Sequence, residues 1–359
     1  MTTRSRLAAL PKGLPRVPPP TDSGFYQRVE VNGVGFPPER IINFIAGNGI
    51  SIVGADDPGN NRTNITITAL FCDHVVRTLA DLPGPVAGSI NLTSGSWCFV
   101  QDLDLGANKL TVPAGVDAFL TAEGKRLTSS NGTATLDVAT ATSLVDCQGL
   151  DFVNTGAGRA VRSLNDGGFY SRFELCTFTA AGAVVFEQGT GGVLIDTCGF
   201  LVPGTGILMS DNAARVICTA SHFTSALGAT AHIEANLGFS LQLTGCLLEV
   251  ALIGVALVGD PDHCSINGNE FTVMDTGVSV TAAGMQDLRI QSNDFNTMTF
   301  GIAMPAPANT PAGGLSLVGN SFSSISGANF SGFTHASAKV NSKANLGAAG
   351  LLSETPIVP

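Results

Sequence analysis

One aromatic residue returns along this chain at a nearly constant interval, and that recurrence limits the fold more than any other feature. The anchors are Phe152, Phe178, Phe200, Phe223, Leu248, Phe271, Phe295 and Phe322, separated by 26, 22, 23, 25, 23, 24 and 27 residues. Their neighbours return with them. Two residues ahead stand Leu150, Cys176, Cys198, Ser221, Cys246, Asn269, Asn293 and Asn320. Five ahead stand Cys147, Phe173, Ile195, Cys218, Leu243, Ile266, Ile290 and Leu317, and seven ahead Val145, Ser171, Val193, Val216, Leu241, Cys264, Leu288 and Leu315. Four to six residues after each anchor comes a glycine, as at Gly156, Gly182, Gly254, Gly277 and Gly301.

Self-similarity at such a period marks a solenoid, in which each unit buries its apolar side against its neighbours. The positions seven and five ahead share one face of a strand, since side chains alternate with period two. The anchor and the residue two ahead of it have the opposite parity, so the chain must bend between them. The glycine is a second corner, where φ > 0 or close backbone approach is tolerated. A third falls in polar stretches such as 165–168 and 259–263. Three short strands and three corners per unit describe one coil of a right-handed, single-stranded parallel β-helix. Equivalent residues then stack about 4.8 Å apart, giving an aromatic column and, two residues ahead of it, a cysteine column that becomes an asparagine column. Helical repeats would need a 3.6-residue period, which is absent.

The rest of the chain divides around these coils. Residues 1–24 are Pro-rich and basic and read as an extended docking arm. Residues 25–69 form a small β module: Ile50 and Ile52 alternate with polar neighbours, as do Ile65 and Ile67, across the turn signal at 56–61. Residues 70–144 read as irregular first coils and a cap, 145–327 as the regular coils, and 328–359 as a C-terminal cap or inter-subunit segment.

Composition bears on partners. Charged residues are 13% of the chain and net charge is −10, against about 25% charged in an ordinary soluble domain. A mean hydropathy of +0.29 comes with no apolar run near the ~20 residues of a membrane helix and no signal core. The apolar surplus is therefore expected inside a long core and between subunits, without membrane insertion. Acidity argues against nucleic acid as the main partner. The one basic concentration is Arg4, Arg6, Lys12 and Arg16, which we take as partner-docking residues.

Eight cysteines contain no C-x-x-C pair, so a zinc site is not expected, and without a signal peptide neither is a disulfide framework. The cysteines of the repeat read as core packing, and Cys72 and Cys98, outside it, are the pair to test for cross-linking. The sequons at Asn61, Asn64, Asn91 and Asn131 read as accidents of a chain rich in Thr and Asn. No cofactor is implied.

Residues 44–69, FIAGNGISIVGADDPGNNRTNITITA, resemble a hairpin element of tail-fibre and other structural proteins of tailed bacteriophages. Residues 78–115 resemble the opening of β-helical phage virion proteins. The resemblance covers about 65 residues, and the coils behind fit the same group. It implies a virion protein of the tail-fibre, tailspike, head-fibre or decoration type, located on the virion after assembly in the bacterial cytoplasm. The expected partners are two further copies in a homotrimer, phage capsid or tail proteins through the arm, and a host-surface glycan or receptor. It carries no catalytic residue.

The alternative is a polysaccharide-degrading tailspike, a glycan hydrolase or lyase, which needs paired carboxylates. The residue before the anchor points outward and is Glu270 and then Asp294, with His222 two coils earlier. We read the two acids as solvated surface groups. Asp260, Asp262 and His263 form the other dense cluster, read as a corner loop without metal-ligand spacing. Glycan sites favour aromatic platforms, yet Trp97 and Tyr26 lie outside the regular coils and only Tyr170 falls within them. An ice-binding or adhesin solenoid would need outward Thr ladders, and NITIT at 64–68 is isolated. The expectation is a structural protein and not an enzyme.

Overall fold

The computed structural model describes residues 50–57, 62–69, 72–138, 143–164, 170–225, 229–236, 240–259, 261–281, 285–304, 314–331, 340–347 and 350–351. Apart from one 3-10 turn at Leu79–Asp81, every named element is a strand. The chain divides into two units. Most of the strand pair Ile50–Asp57 and Arg62–Ala69 belongs to the first, and these strands pair with each other alone, as the turn signal between them predicts.

The second unit is a parallel β-helix. Its first face runs from His74–Val76 through Gly95–Phe99 to Gly314–Val318 and Val340–Lys343, every strand parallel to the next. The second carries the anchors, from Leu103–Asp104 through Thr177–Ala180 and His222–Thr224 to Leu346. The third begins at Ser89–Asn91 and passes through Ala134–Val138, Val184–Gln188 and Ala229–Ala235. It ends in the trailing halves of Leu247–Leu257, Glu270–Val280, Asp294–Ala303 and Ser321–Ser331.

All eight anchors are register partners from coil to coil, and Leu103 and Leu127 extend the column toward the N-terminus. Ring centroids lie 4.8 Å apart for Phe178 and Phe200, 4.4 Å for Phe200 and Phe223, and 4.8 Å for Phe271 and Phe295. These are the strand spacing carried into the core, and burial of each ring stabilises the stack by about 1.5–3 kcal/mol.

The column two residues ahead is a hydrogen-bonded ladder. Asn269, Asn293 and Asn320 each donate from Nδ2 to the next rung's Oδ1, at 3.0, 3.1 and 3.0 Å. Each also donates to the carbonyl of Leu243, Ile266 or Ile290 in the coil before. Each Oδ1 from Asn293 onward also accepts a backbone N–H from the preceding rung. The ladder has a rung the repeat does not announce, Asn345, which bonds in the same way to the Leu317 carbonyl. Cys176, Cys198 and Cys246 fill the same slot earlier, their thiols donating to the carbonyls of Cys147, Phe173 and Cys218.

The first corner lies where the parity change requires it. The residue three ahead of the anchor has positive φ in successive coils, at Leu175, Thr197, Ala220, Gly245, Gly268, Ser292 and Gly319. A non-glycine residue there costs roughly 1–2 kcal/mol. The N–H groups of Leu175, Thr197, Ala220 and Ser292 nevertheless donate to the next coil, so the ladder runs through the bend. The glycine corner differs from expectation. In the last coils positive φ falls on Val250, Val273, Thr297 and Ser324, two residues after the anchor. The later glycine serves close approach instead: a Cβ on Gly277 would stand 2.5 Å from Cδ1 of Phe295 in the next coil.

The place where the aromatic column changes to Leu248 has a bulkier neighbour at that position. The register of Ile233 with Val255 puts His232 in line with Gly254. His232 is fully buried, its ring centroid 5.8 Å from that of Phe223. In the coils that follow, Gly254, Gly277 and Gly301 stand against Phe271, Phe295 and Phe322, whereas here His232 stands before Leu248, the smaller anchor, and in earlier coils the position holds Ala160 and Val185.

Parallel pairing starts well ahead of residue 145, at His74, and persists beyond 327 through Val340–Lys343 to Leu346. Trp97 therefore belongs to the coils: it is buried in register with Leu120 and Cys147, and stacks on His74. Residues 165–168, expected as a third corner, lie outside the described residues.

Candidate functional surfaces

The docking residues Arg4, Arg6, Lys12 and Arg16, together with Tyr26 and Asp260, lie outside the described residues. The carboxylate pair is placed as the repeat predicts. Glu270 and Asp294 are register partners on adjacent coils, both exposed, with His222 two coils away in the same column. His222 is engaged elsewhere, its Nε2 lying 2.7 Å from Oε2 of Glu249. Asp262 is half-buried and His263 exposed. Among the described residues no three His, Cys, Asp or Glu side chains group so as to hold a metal ion, and no helix is long and apolar enough to cross a membrane.

The first face has a shallow depression of about 220 Å³ lined by Phe119, Leu144, Asp146, Arg172 and Leu194. That is below the roughly 300–1,000 Å³ of a small-molecule site. Arg172 Nη2 donates to Glu174 beside it at 2.7 Å.

One feature went unread in the sequence, and a second was singled out there only as a pair to test. The first is a charged ladder on the outward side of the third face. Asp137, 4% exposed, accepts from Arg162 through Nε at 2.8 Å and Nη2 at 3.0 Å, and from Lys109. Glu187 pairs with Arg159 and accepts from Ser210, and Glu234 accepts from Thr205. The hydrogen bond to Asp137 raises the Arg162 guanidinium further above its ordinary value. Asp137 and Arg162 stand ten residues after Leu127 and Phe152, and Glu187 nine after Phe178, but an outward position is not fixed by core packing, so its residue type does not recur. The second is a disulfide between Cys72 and Cys98, the pair marked for a cross-linking test, although no disulfide framework was expected. It ties the chain ahead of the first coil to the strand Gly95–Phe99, a neighbourhood that a separation of 26 residues does not reveal. The other six cysteines are buried free thiols. Burial pushes Cys147 and Cys218 well above the usual thiol range and Cys264 to about 12, so these stay protonated packing groups.

Fold and surfaces together define a parallel β-helix protein with ion-paired and polar outer faces. Comparison of the chain with protein-family models, with curated proteins and with solved structures finds no match.

Proposed function

We propose that this chain is a structural spike or fibre subunit of a bacteriophage particle. Three copies associate, the basic arm at 1–24 docks on an acidic surface of the head or tail, and the coils project as a shaft for attachment to the host. The observation that carries this reading is the stack itself. Eleven strands follow one another on the third face, a rise of about 50 Å at the inter-strand spacing. Each coil is braced by filled columns on both sides, which suits a load-bearing rod. The likeness of residues 44–69 and 78–115 to phage virion elements supports the location.

Deletion of residues 1–24 tests the docking role. The shortened protein is expected to keep its strand signal and its number of chains per assembly, and to be missing from purified particles. Normal incorporation would refute it.

A polysaccharide-degrading activity is the second reading, favoured by one observation: Glu270 and Asp294 are direct register partners. Carboxyl groups about 5 Å apart suit a retaining glycosidase. We read the pair as surface acids and expect no cleavage. Reducing ends or unsaturated sugars released from host polysaccharide, and lost in Glu270→Gln or Asp294→Asn, would establish the enzyme instead.

A further inference from the structure

Three consecutive residues at the entrance to the helix are each tied to the strand Gly95–Phe99 by a different kind of bond. Cys72 forms the disulfide to Cys98. Asp73 donates its backbone N–H to Ser96 Oγ at 3.0 Å, and its Oδ2 accepts from the Ser96 backbone N–H at 2.8 Å and from Ser96 Oγ at 3.0 Å. His74 stacks on Trp97, ring centroids 3.9 Å apart. These ties hold the start of His74–Val76, the first strand of its face, which pairs with Gly95–Phe99. Val76 is fully buried and seats the other end in the core.

The ties differ in what undoes them. A strand this short, at the start of its face, has few bonds of its own, and such ends open locally with ease. Asp73 is exposed, so water competes for its hydrogen bonds. The disulfide is the covalent tie and the one that answers to thiols. Cys72 is half-buried and Cys98 only 4% exposed, so a thiolate from outside meets Cys72 first. It attacks the Cys72 sulfur, the S–S bond breaks, and the electron pair leaves on Cys98 Sγ. Thr121 Oγ1 lies 3.1 Å from that sulfur. A disulfide sulfur carries no proton, so the hydroxyl donates and stabilises the departing thiolate. The second thiol of a dithiol reagent then displaces Cys72. The reagent's two protons end on the cysteines, and the reagent leaves as a disulfide. The other six cysteines are buried free thiols and take no part.

We propose that Cys72–Cys98 is a redox-operated lock on this first strand, closed as the disulfide and open as two thiols. In the open state residues 72–75 fray as far as Val76 and add to the connection from the strand Arg62–Ala69. Trp97 then loses the cover of His74, while the coils from Gly95 onward keep their pairing. The inference goes beyond the proposed function and does not depend on it.

Trp97 is the chain's single tryptophan, so its emission reads the lock directly. The full chain is compared before and after treatment with dithiothreitol, and iodoacetamide followed by peptide mass locates the freed thiols. Alkylation is expected at Cys72 and Cys98 alone, with the strand signal unchanged. The Trp97 emission should move to longer wavelength and its quenching by acrylamide should increase. In a reduced sample left unalkylated, oxidised glutathione should reverse both changes. Cys72→Ser is expected to show the open-state emission without reductant and no further response to it. Emission wavelength and quenching that stay the same after both cysteines are alkylated would overturn the lock, because the strand then stays shut without the bond. Loss of the strand signal on reduction would also overturn it, making the bond a support of the whole helix. So would a folded chain in which dithiothreitol frees neither thiol.

Discussion

Asn293 joins three coils with one side chain. Its Oδ1 accepts from both the backbone and Nδ2 of Asn269, and its own Nδ2 reaches Ile266 and Asn320. Replacement by Leu, of similar volume, leaves two donors on Asn269 and the Ile266 carbonyl without partners. At roughly 1–3 kcal/mol per stranded buried group, Asn293→Leu is expected to lose at least about 3 kcal/mol, read as a lower urea midpoint. His232 tests burial in another way. Its Nε2 lies 2.8 Å from the Glu249 carbonyl, which requires the proton on that nitrogen, and Nδ1 has no partner among the described residues. Burial holds its pKa down at about 4, whereas the unfolded chain titrates near 6.5. The unfolded state therefore binds the extra proton first. This contribution to stability is complete above about pH 6.5 and is lost progressively as pH falls toward about 4, roughly 3 kcal/mol in all. The urea midpoint is expected to drop between about pH 7 and about pH 5 in wild type, and to drop less in His232→Gln.

At the scale of the element, the packing of each coil depends on what the previous one leaves open. Gly277 makes room for Phe295, while His232 takes the place of such a glycine ahead of Leu248. Leu248→Phe should therefore overpack the column and destabilise by about 1–3 kcal/mol. His232→Gly combined with it should recover most of that loss, a coupling that a double-mutant cycle measures directly. If Leu248→Phe is harmless alone, the volume exchange is not the reason for the break. This is also where the sequence was legible and where it was not. Columns that contribute to the core at fixed distances from the anchor, down to Asn320, could be read because packing fixes both residue type and spacing. Asn345 escaped notice because its anchor is Gly347, the coils before Phe152 because their anchors are Leu103 and Leu127. The Asp137 and Arg162 ladder was hidden for a different reason. Both residues stand ten after their anchors, but on an outward face that core packing does not constrain the residue type changes from coil to coil, so no repeat announces them.

For the whole molecule, the account stands on coils that repeat one register along one axis. The charged ladder and the proposed shaft both presuppose it, since a slip of one residue would turn every outward side chain inward. An experimental density map of the coils is the most direct measurement. It should show the rings of Phe178, Phe200 and Phe223 in one column, with centroids near 4.8 and 4.4 Å apart, and Asn269, Asn293 and Asn320 bonded in line beside them. Rings distributed over separate columns, or neighbouring strands of the coils running antiparallel, would contradict it.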